Sequence, residues 1–303
     1  MPLPLVVDTD CGVDDALALL VLLGSPDVDV RAITAVHGTG PVEQVARNVQ
    51  VVLELAGRPD IPVYQGAPRP LLRETSYSPH VHGQNGLGDV EITRPAGAPK
   101  GLAIDLYRAL EERVTLFTLG PLTNVALALA AVPRLATRID RIVAMGGALF
   151  IPGTFNAVAE SNIGKDPEAA AAVLGAGVPL TLVPMDLVRQ VVLTSADLAS
   201  LADKGPHGAF ASQITGTYLA FHKAQRGIDG IVPADAVTAT YLLRPDLFRT
   251  EELYLEVDCG WTFNAGKTIA HATRPIGRGN KATVVTEVDV PAARALLLER
   301  LAR

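Results

Sequence analysis

The sequence predicts an α/β protein, an open, mostly parallel central sheet with helices on both faces, built by residues 1–303 as a single domain. Short apolar runs of strand length alternate along the chain with longer stretches of helical period, the signature of repeated β-α-β units. No internal repeat, low-complexity tract or interdomain linker divides it.

The elements follow in order. Residues 3–8 are an apolar run ending at Asp8, as expected of a buried parallel strand. Residues 14–24 are apolar all round, which predicts a buried helix. Residues 28–36 read as a second strand. Val42, Val45, Ala46, Val49, Val52, Leu53 and Ala56 then recur at three and four, an amphipathic helix. Residues 114–119 are a strand, and Pro121 suits the opening of the next helix. Strands follow at 140–145 and 179–183, with a helix start between them at Asp166-Pro167-Glu168, where cap, proline and first-turn acid stand in order. Helices are expected at 195–203, 207–226 and 234–243. The last 50 residues mix short strands with a final helix near 291–302. Segments 66–100, 147–165 and 227–234 are rich in Gly, Pro, His or Asn and break the rhythm. Long loops of that kind usually carry function.

Composition bounds the partners. A formal charge of −6 without a basic cluster argues against binding nucleic acid or a membrane surface. No apolar stretch reaches the roughly 18 residues of a membrane span, and Asp8 interrupts the apolar N-terminus, against a signal peptide. The two cysteines, Cys11 and Cys259, form no disulfide framework and fit a reducing cytoplasm. Buried as a small hydrophobe, Cys11 needs no chemical role. Trp261 is expected in the core or at a subunit contact.

The densest chemistry follows the first strand: Asp8, Asp10, Asp14 and Asp15 place four carboxylates in eight residues. Ligands of open α/β sheets bind at the carboxyl ends of strands. Crowded carboxylates repel unless a cation neutralises them, and an all-oxygen set favours Ca²⁺ or Mg²⁺. Helix capping alone accounts for one or two of these acids.

The pattern Asp8-x-Asp10-x-Gly12-x-Asp14-Asp15-Ala16 resembles the N-terminal signature of the inosine–uridine-preferring nucleoside hydrolase family, with Cys11 where the family has proline. The likeness runs along nearly the whole chain. It continues through His80-Val81-His82-Gly83, Gly120-Pro121-Leu122-Thr123-Asn124, Met145-Gly146-Gly147, Ala159-Glu160-Ser161-Asn162 and Pro233-Ala234-Asp235-Ala236.

The resemblance implies a Ca²⁺-dependent N-ribohydrolase acting on ribonucleosides. It assigns Asp10, Asp15, Asp235 and the Thr123 carbonyl to the metal, and Asp14, Glu160 and Asn162 to the ribose hydroxyls. Thr154 stands where the family has an asparagine, with Asn156 nearby. Thr39 also stands where the family often has asparagine. Asp10 is the implied general base for water. Sites built to pair hydroxyls reject sugars lacking them, so deoxynucleosides are expected to be poor substrates. The family forms dimers or tetramers, so a homo-oligomer is expected.

One departure touches the leaving group. Purine-active members carry a histidine before the late aspartate, where this chain has Ala234. That leans the base preference toward pyrimidines. Candidates for a substitute acid are His82, on a glycine-rich loop able to act as a lid, and His222, one turn after Tyr218 on one helix face. Two other readings stay in view. A haloacid-dehalogenase-like phosphatase would use Asp8 as phosphoryl acceptor, but Gly12 departs from its motif. A non-catalytic nucleoside-binding paralogue would have little reason to keep the carboxylates. No glycine-rich phosphate loop follows the first strand, so no nucleotide cofactor is implied.

Overall fold

A computed structural model describes residues 1–92, 97–275 and 279–303. In chain order these residues form β1 (Leu3–Thr9), α1 (Val13–Leu23), β2 (Val28–Ala35), α2 (Val42–Leu55), β3 (Val63–Gln65), α3 (Pro79–His82), β4 (Gly101–Leu102), α4 (Ala103–Ala109), β5 (Val114–Thr118) and α5 (Thr123–Ala131). The second half adds β6 (Ile139–Met145), α6 (Ser161–Lys165), α7 (Pro167–Leu174), β7 (Leu180–Val183), α8 (Met185–Val188), β8 (Leu193–Thr194), α9 (Ser195–Leu201) and α10 (Gly205–Arg226). It closes with β9 (Gly230–Ile231), α11 (Ala234–Leu243), β10 (Phe248–Val257), β11 (Thr268–His271), β12 (Asn280–Val288) and α12 (Val290–Leu301).

Ten strands make one sheet in the order β11-β10-β12-β7-β6-β5-β1-β2-β3-β4. Pairing is parallel from β12 across to β4, and only β10 runs antiparallel to its neighbours. The pleat divides the core in two. Leu5 and Val7 of β1 join Val143 of β6 under α1, α2, α11 and α12. Val6 between them points the other way, with Leu116 and Ile142, under α4, α5 and α7. Helices therefore cover both faces. The buried strands read as unbroken apolar runs for this reason.

Predicted and observed bounds agree closely for the long elements, and 234–243 coincides with α11. Asp166 caps α7 as expected, its side chain accepting from Ala169 N. Pro121 is a correction. α5 starts at Thr123 with Leu122 as its N-cap, so the proline precedes the helix rather than opening it. Of the two places expected for Trp261, the structure removes the core. It is 75% exposed, with the Arg73 guanidinium 4.1 Å above its ring, and it takes no part in the core. Among the described residues no helix is long and apolar enough to cross a membrane.

β1 and β5 sit side by side near the middle of the sheet, flanked by β2 and β6. The loops leaving their carboxyl ends carry Asp10, Gly38, Leu119 and Gly147. The site stands there.

Candidate active site

Asp10, Asp14 and Asp15 are fixed by the turn from β1 into α1. Cys11 occupies it with φ +30°, a conformation costly for a non-glycine residue. The turn holds it by two bonds: Cys11 N donates to Thr9 Oγ1 (3.0 Å), and Asn48 Nδ2 donates to the Cys11 carbonyl (3.1 Å). Gly12 is the N-cap of α1 and has no side chain for a mechanical reason. A Cβ there would lie 2.7 Å from His82 Nδ1 and 2.8 Å from Thr39 Oγ1. Its N–H donates to Asp15 Oδ2 (3.0 Å), while Thr9 Oγ1 donates to Asp15 Oδ1 (2.5 Å).

Asp235 arrives from the first turn of α11, which packs beside α1. One carboxylate oxygen from each of Asp14, Asp15 and Asp235 lies within 4.8 Å of the others. Asp235 Oδ1 is buried without a hydrogen-bond partner. Burial first, then mutual repulsion, pushes Asp14 and Asp15 up to about 6 and Asp235 well above the usual carboxylate range. Such a set is poorly stable as bare anions and suits a hard divalent cation. Asp10 adjoins this set, lifted to about 8 by burial and by Asp15, and Thr39 Oγ1 donates to its Oδ2 (3.2 Å).

Another wall of the site comes from β6 and α6. Glu160 caps α6, accepting Asn162 N (2.8 Å) and Ile163 N (3.2 Å), and it also accepts Gly147 N (2.9 Å). Asn162 donates its amide to the carbonyls of Leu119 (2.6 Å) and Met145 (3.1 Å), which leaves its Oδ1 as the functional end.

Aromatic side chains close the far end. His82, in α3, stacks on Tyr218 with centroids 5.3 Å apart, and Tyr218 meets His222 edge-on at 4.5 Å. Tyr218 OH donates to Val232 O (3.1 Å) and to Asp14 Oδ2 (3.3 Å). Burial lowers His82 to about 3 and His222 to about 4, so both imidazoles are neutral at pH 7.

These groups line one cleft of about 250 Å³, at the small end of ligand sites. It gathers Asp10, Asp14, Thr39, His82, Thr154, Glu160, Asn162, Tyr218, His222 and Asp235 from segments far apart in sequence, together with Asp15. Two expected residues stand apart from its lining. Asn156 is a correction. Its Oδ1 accepts Val158 N (2.9 Å) and Ala159 N (2.8 Å) and its Nδ2 donates to Ala265 O (3.0 Å), so it shapes the loop rather than lining the cleft. Thr123 is buried at the start of α5. Its hydroxyl donates to Asp166 Oδ2 (2.7 Å) and receives His37 Nε2 (3.0 Å). The phosphatase reading fails at Asp8, which is 1% exposed and lies under the cleft floor, bound by Thr34 Oγ1 (2.5 Å) and Asn124 Nδ2 (2.7 Å). The Cys11 thiol is fully buried, and burial with the neighbouring carboxylates pushes its pKa up, which argues against a nucleophilic role.

Sequence reasoning missed Lys165, Ser76, Ser78 and Phe221 in the lining. Lys165 had a legible signal: it stands three residues after Asn162, one helical turn along.

The family model described as inosine-uridine preferring nucleoside hydrolase matches residues 5–295. The pyrimidine-specific ribonucleoside hydrolase RihA of Klebsiella pneumoniae subsp. pneumoniae is 37% identical over 309 residues, covering 100% of this chain and 99% of its own. Among solved structures, the plant nucleoside hydrolase PpNRh1 superposes with a TM-score of 0.95 at 30% identity, covering 100% of this chain and 99% of the other. A purine-preferring ribonucleoside hydrolase from Gardnerella vaginalis does so with a TM-score of 0.89 at 31% identity, covering 99% and 98%. Matched by the family model over nearly its whole length and by relatives of this identity and fold, the chain is an enzyme that belongs to the inosine-uridine preferring nucleoside hydrolase family.

Proposed function

We propose that the protein hydrolyses the N-glycosidic bond of ribonucleosides with Ca²⁺ bound, giving ribose and a free base, and that it prefers pyrimidines. The observation that carries this reading is the convergence of the Asp14, Asp15 and Asp235 carboxylates with Glu160 and Asn162 in one cleft at the strand ends. The orphaned Asp235 Oδ1 supports a cation there. Asp10, Asp15, Asp235 and the Thr123 carbonyl are the proposed ligands, with the Asp14 carboxylate close enough to share them. When bound, Ca²⁺ supplies charge that offsets the carboxylates and makes water at the site more acidic.

The chain's own groups account for the rest. Asp10 takes the proton of the attacking water, with Thr39 fixing its Oδ2. Asp14, Glu160 and Asn162 hold the ribose hydroxyls, beside Thr154 at the cleft rim. As the bond to the base breaks, positive charge develops on the sugar, and the surrounding carboxylates stabilise it. Val13 N donates to His82 Nδ1 (3.1 Å), so the neutral ring carries its proton on Nε2 and offers it to the departing base as a hydrogen bond. His222 is the opposite tautomer: its Nδ1 donates to the Tyr218 carbonyl (3.0 Å), which leaves Nε2 as an acceptor. Neither ring is an imidazolium. With Ala234 in the place of a dedicated acid, this favours bases that leave without full protonation, and the RihA relatives named pyrimidine-specific support the same choice.

The free cysteines fit a cytoplasmic enzyme. The exposed rings of Phe150 (76%), Trp261 (75%) and Phe263 (98%) support assembly into a dimer or tetramer.

The test is free ribose released from inosine, adenosine, guanosine, uridine, cytidine and 2′-deoxyuridine, with Ca²⁺ and after chelation. Calcium-dependent release ranked uridine or cytidine first, with deoxyuridine poor, upholds the reading. Higher efficiency on inosine overturns the base preference, and no release from any of them overturns the activity.

A further inference from the structure

Lys165 ends α6 and is only 4% exposed. A buried ammonium is costly unless it is well satisfied. Its two hydrogen-bond partners are neutral and come from different segments: the Gly38 carbonyl (2.6 Å) and the Ser78 hydroxyl (3.1 Å). The nearby carboxylates of Asp10, Glu160, Asp15 and Asp14 favour a positive charge here, and the two hydrogen bonds decide where it is held.

Each partner leads to a working residue. Gly38 lies directly against Asp10, since a Cβ on it would fall 2.1 Å from Asp10 Oδ2. The next residue, Thr39, donates to that same oxygen (3.2 Å). Ser78 N donates to the Thr39 carbonyl (3.1 Å), and the Ser78 carbonyl receives Val81 N (3.0 Å) and His82 N (3.1 Å). Ser78 thus anchors the short helix that presents His82. Lys165 itself rides on the helix that carries Asn162 and is capped by Glu160.

We infer that Lys165 is a positioning residue for the reaction: its ammonium ties the Gly38 turn to the Ser78 turn and so sets Asp10 and His82 against a sugar held by Glu160 and Asn162. The inference rests on the hydrolase reading above. Lys165 also lines the cleft itself.

Lys165→Met keeps the length of the side chain and removes the donors. Displacing catalytic groups by about 1 Å costs on the order of 100-fold in rate, so kcat with the preferred ribonucleoside is expected to fall about 100-fold while KM changes less than about threefold. Ser78→Ala removes one of the two ties and is expected to lower kcat by roughly fivefold. Amide hydrogen exchange should quicken about tenfold in both 37–40 and 76–83 in Lys165→Met, with helix α12 unchanged. A kcat within twofold of the parent, a loss confined to KM, or exchange unchanged in either segment overturns the inference. If Lys165→Met fails to fold, Ser78→Ala with the same two readouts decides. A parent protein inactive on every ribonucleoside sinks the hydrolase reading instead, and the exchange data then judge the tie alone.

Discussion

The backbone N–H of Val13 donates to Nδ1 of His82 across 3.1 Å, joining the first turn of the metal-side helix to the segment that covers the cleft. The same contact explains why residue 12 is glycine, since a Cβ would strike the ring at 2.7 Å. It also fixes which nitrogen of His82 faces the substrate.

On the proposed reading His82 acts as a neutral hydrogen-bond donor, since burial lowers its pKa to about 3. His82→Ala is expected to lower kcat/KM about 10- to 100-fold, the range for losing one preorganised donor. The pH–rate profile of the parent should carry no limb between pH 5 and 7 that His82→Ala removes. Finding such a limb would show that His82 acts as an imidazolium.

Asp10→Asn should reduce kcat by about 10²- to 10⁴-fold, as expected for a lost general base. Calorimetric titration with Ca²⁺ should still give one site per chain. An Asp10→Asn protein with kcat near the parent's would move the base elsewhere.

Calcium should stabilise the fold more at pH 8 than at pH 6. Without the cation, Asp10 is raised to about 8, and Asp14 and Asp15 to about 6, in the folded state. A folded-state pKa above the unfolded value gives stability present at low pH and lost as pH rises through the folded value. The chelated protein should thus lose stability from pH 6 to 8. Ligand binding to the ionised cluster should restore it, by about 2.7 kcal/mol at one hundred times Kd. Thermal melts with and without Ca²⁺ at the two pH values check this, and an equal gain at both would contradict it.

Ala234→His should raise efficiency on inosine relative to uridine by at least about tenfold, the effect of supplying a general acid. Ala234 lines the cleft one residue before Asp235, so the ring would enter at the base end. Steady-state kinetics on both nucleosides measure the ratio, and an unchanged ratio would place base selection on α10 and α3 instead.

Much of this was legible in the chain because burial leaves few alternatives. Asp10, Asp14, Asp15 and Asp235 stand in apolar surroundings where carboxylates are expensive, so their function shows in the residues alone. The long strands and helices were legible for a related reason: one face or both must be apolar. Short elements carry no such mark. α3 and α6 have four and five residues, fewer than two turns, so no period develops. β3 and β4 are strands of three and two residues whose place comes from pairing with distant chain. Asn156 misled because an asparagine near a ribose motif and an asparagine bracing its own loop look alike in sequence. Lys165 stands one turn after Asn162, but only the tertiary approach of Gly38 and Ser78 brings out its place in the site.

Asn162 has a wider consequence. Its amide is bolted to the carbonyls of Leu119 and Met145, at the ends of the neighbouring strands β5 and β6. Interstrand distance in any sheet is close to 4.8 Å, so on the proposed reading the gauge for the sugar is the lattice constant of the sheet. On the proposed reading the base meets side chains of α3, α10 and α11, none of which is tied to the sheet in this way. If so, substitutions on this scaffold should change the nucleobase preference more readily than the pentose, and an engineer should find the same asymmetry.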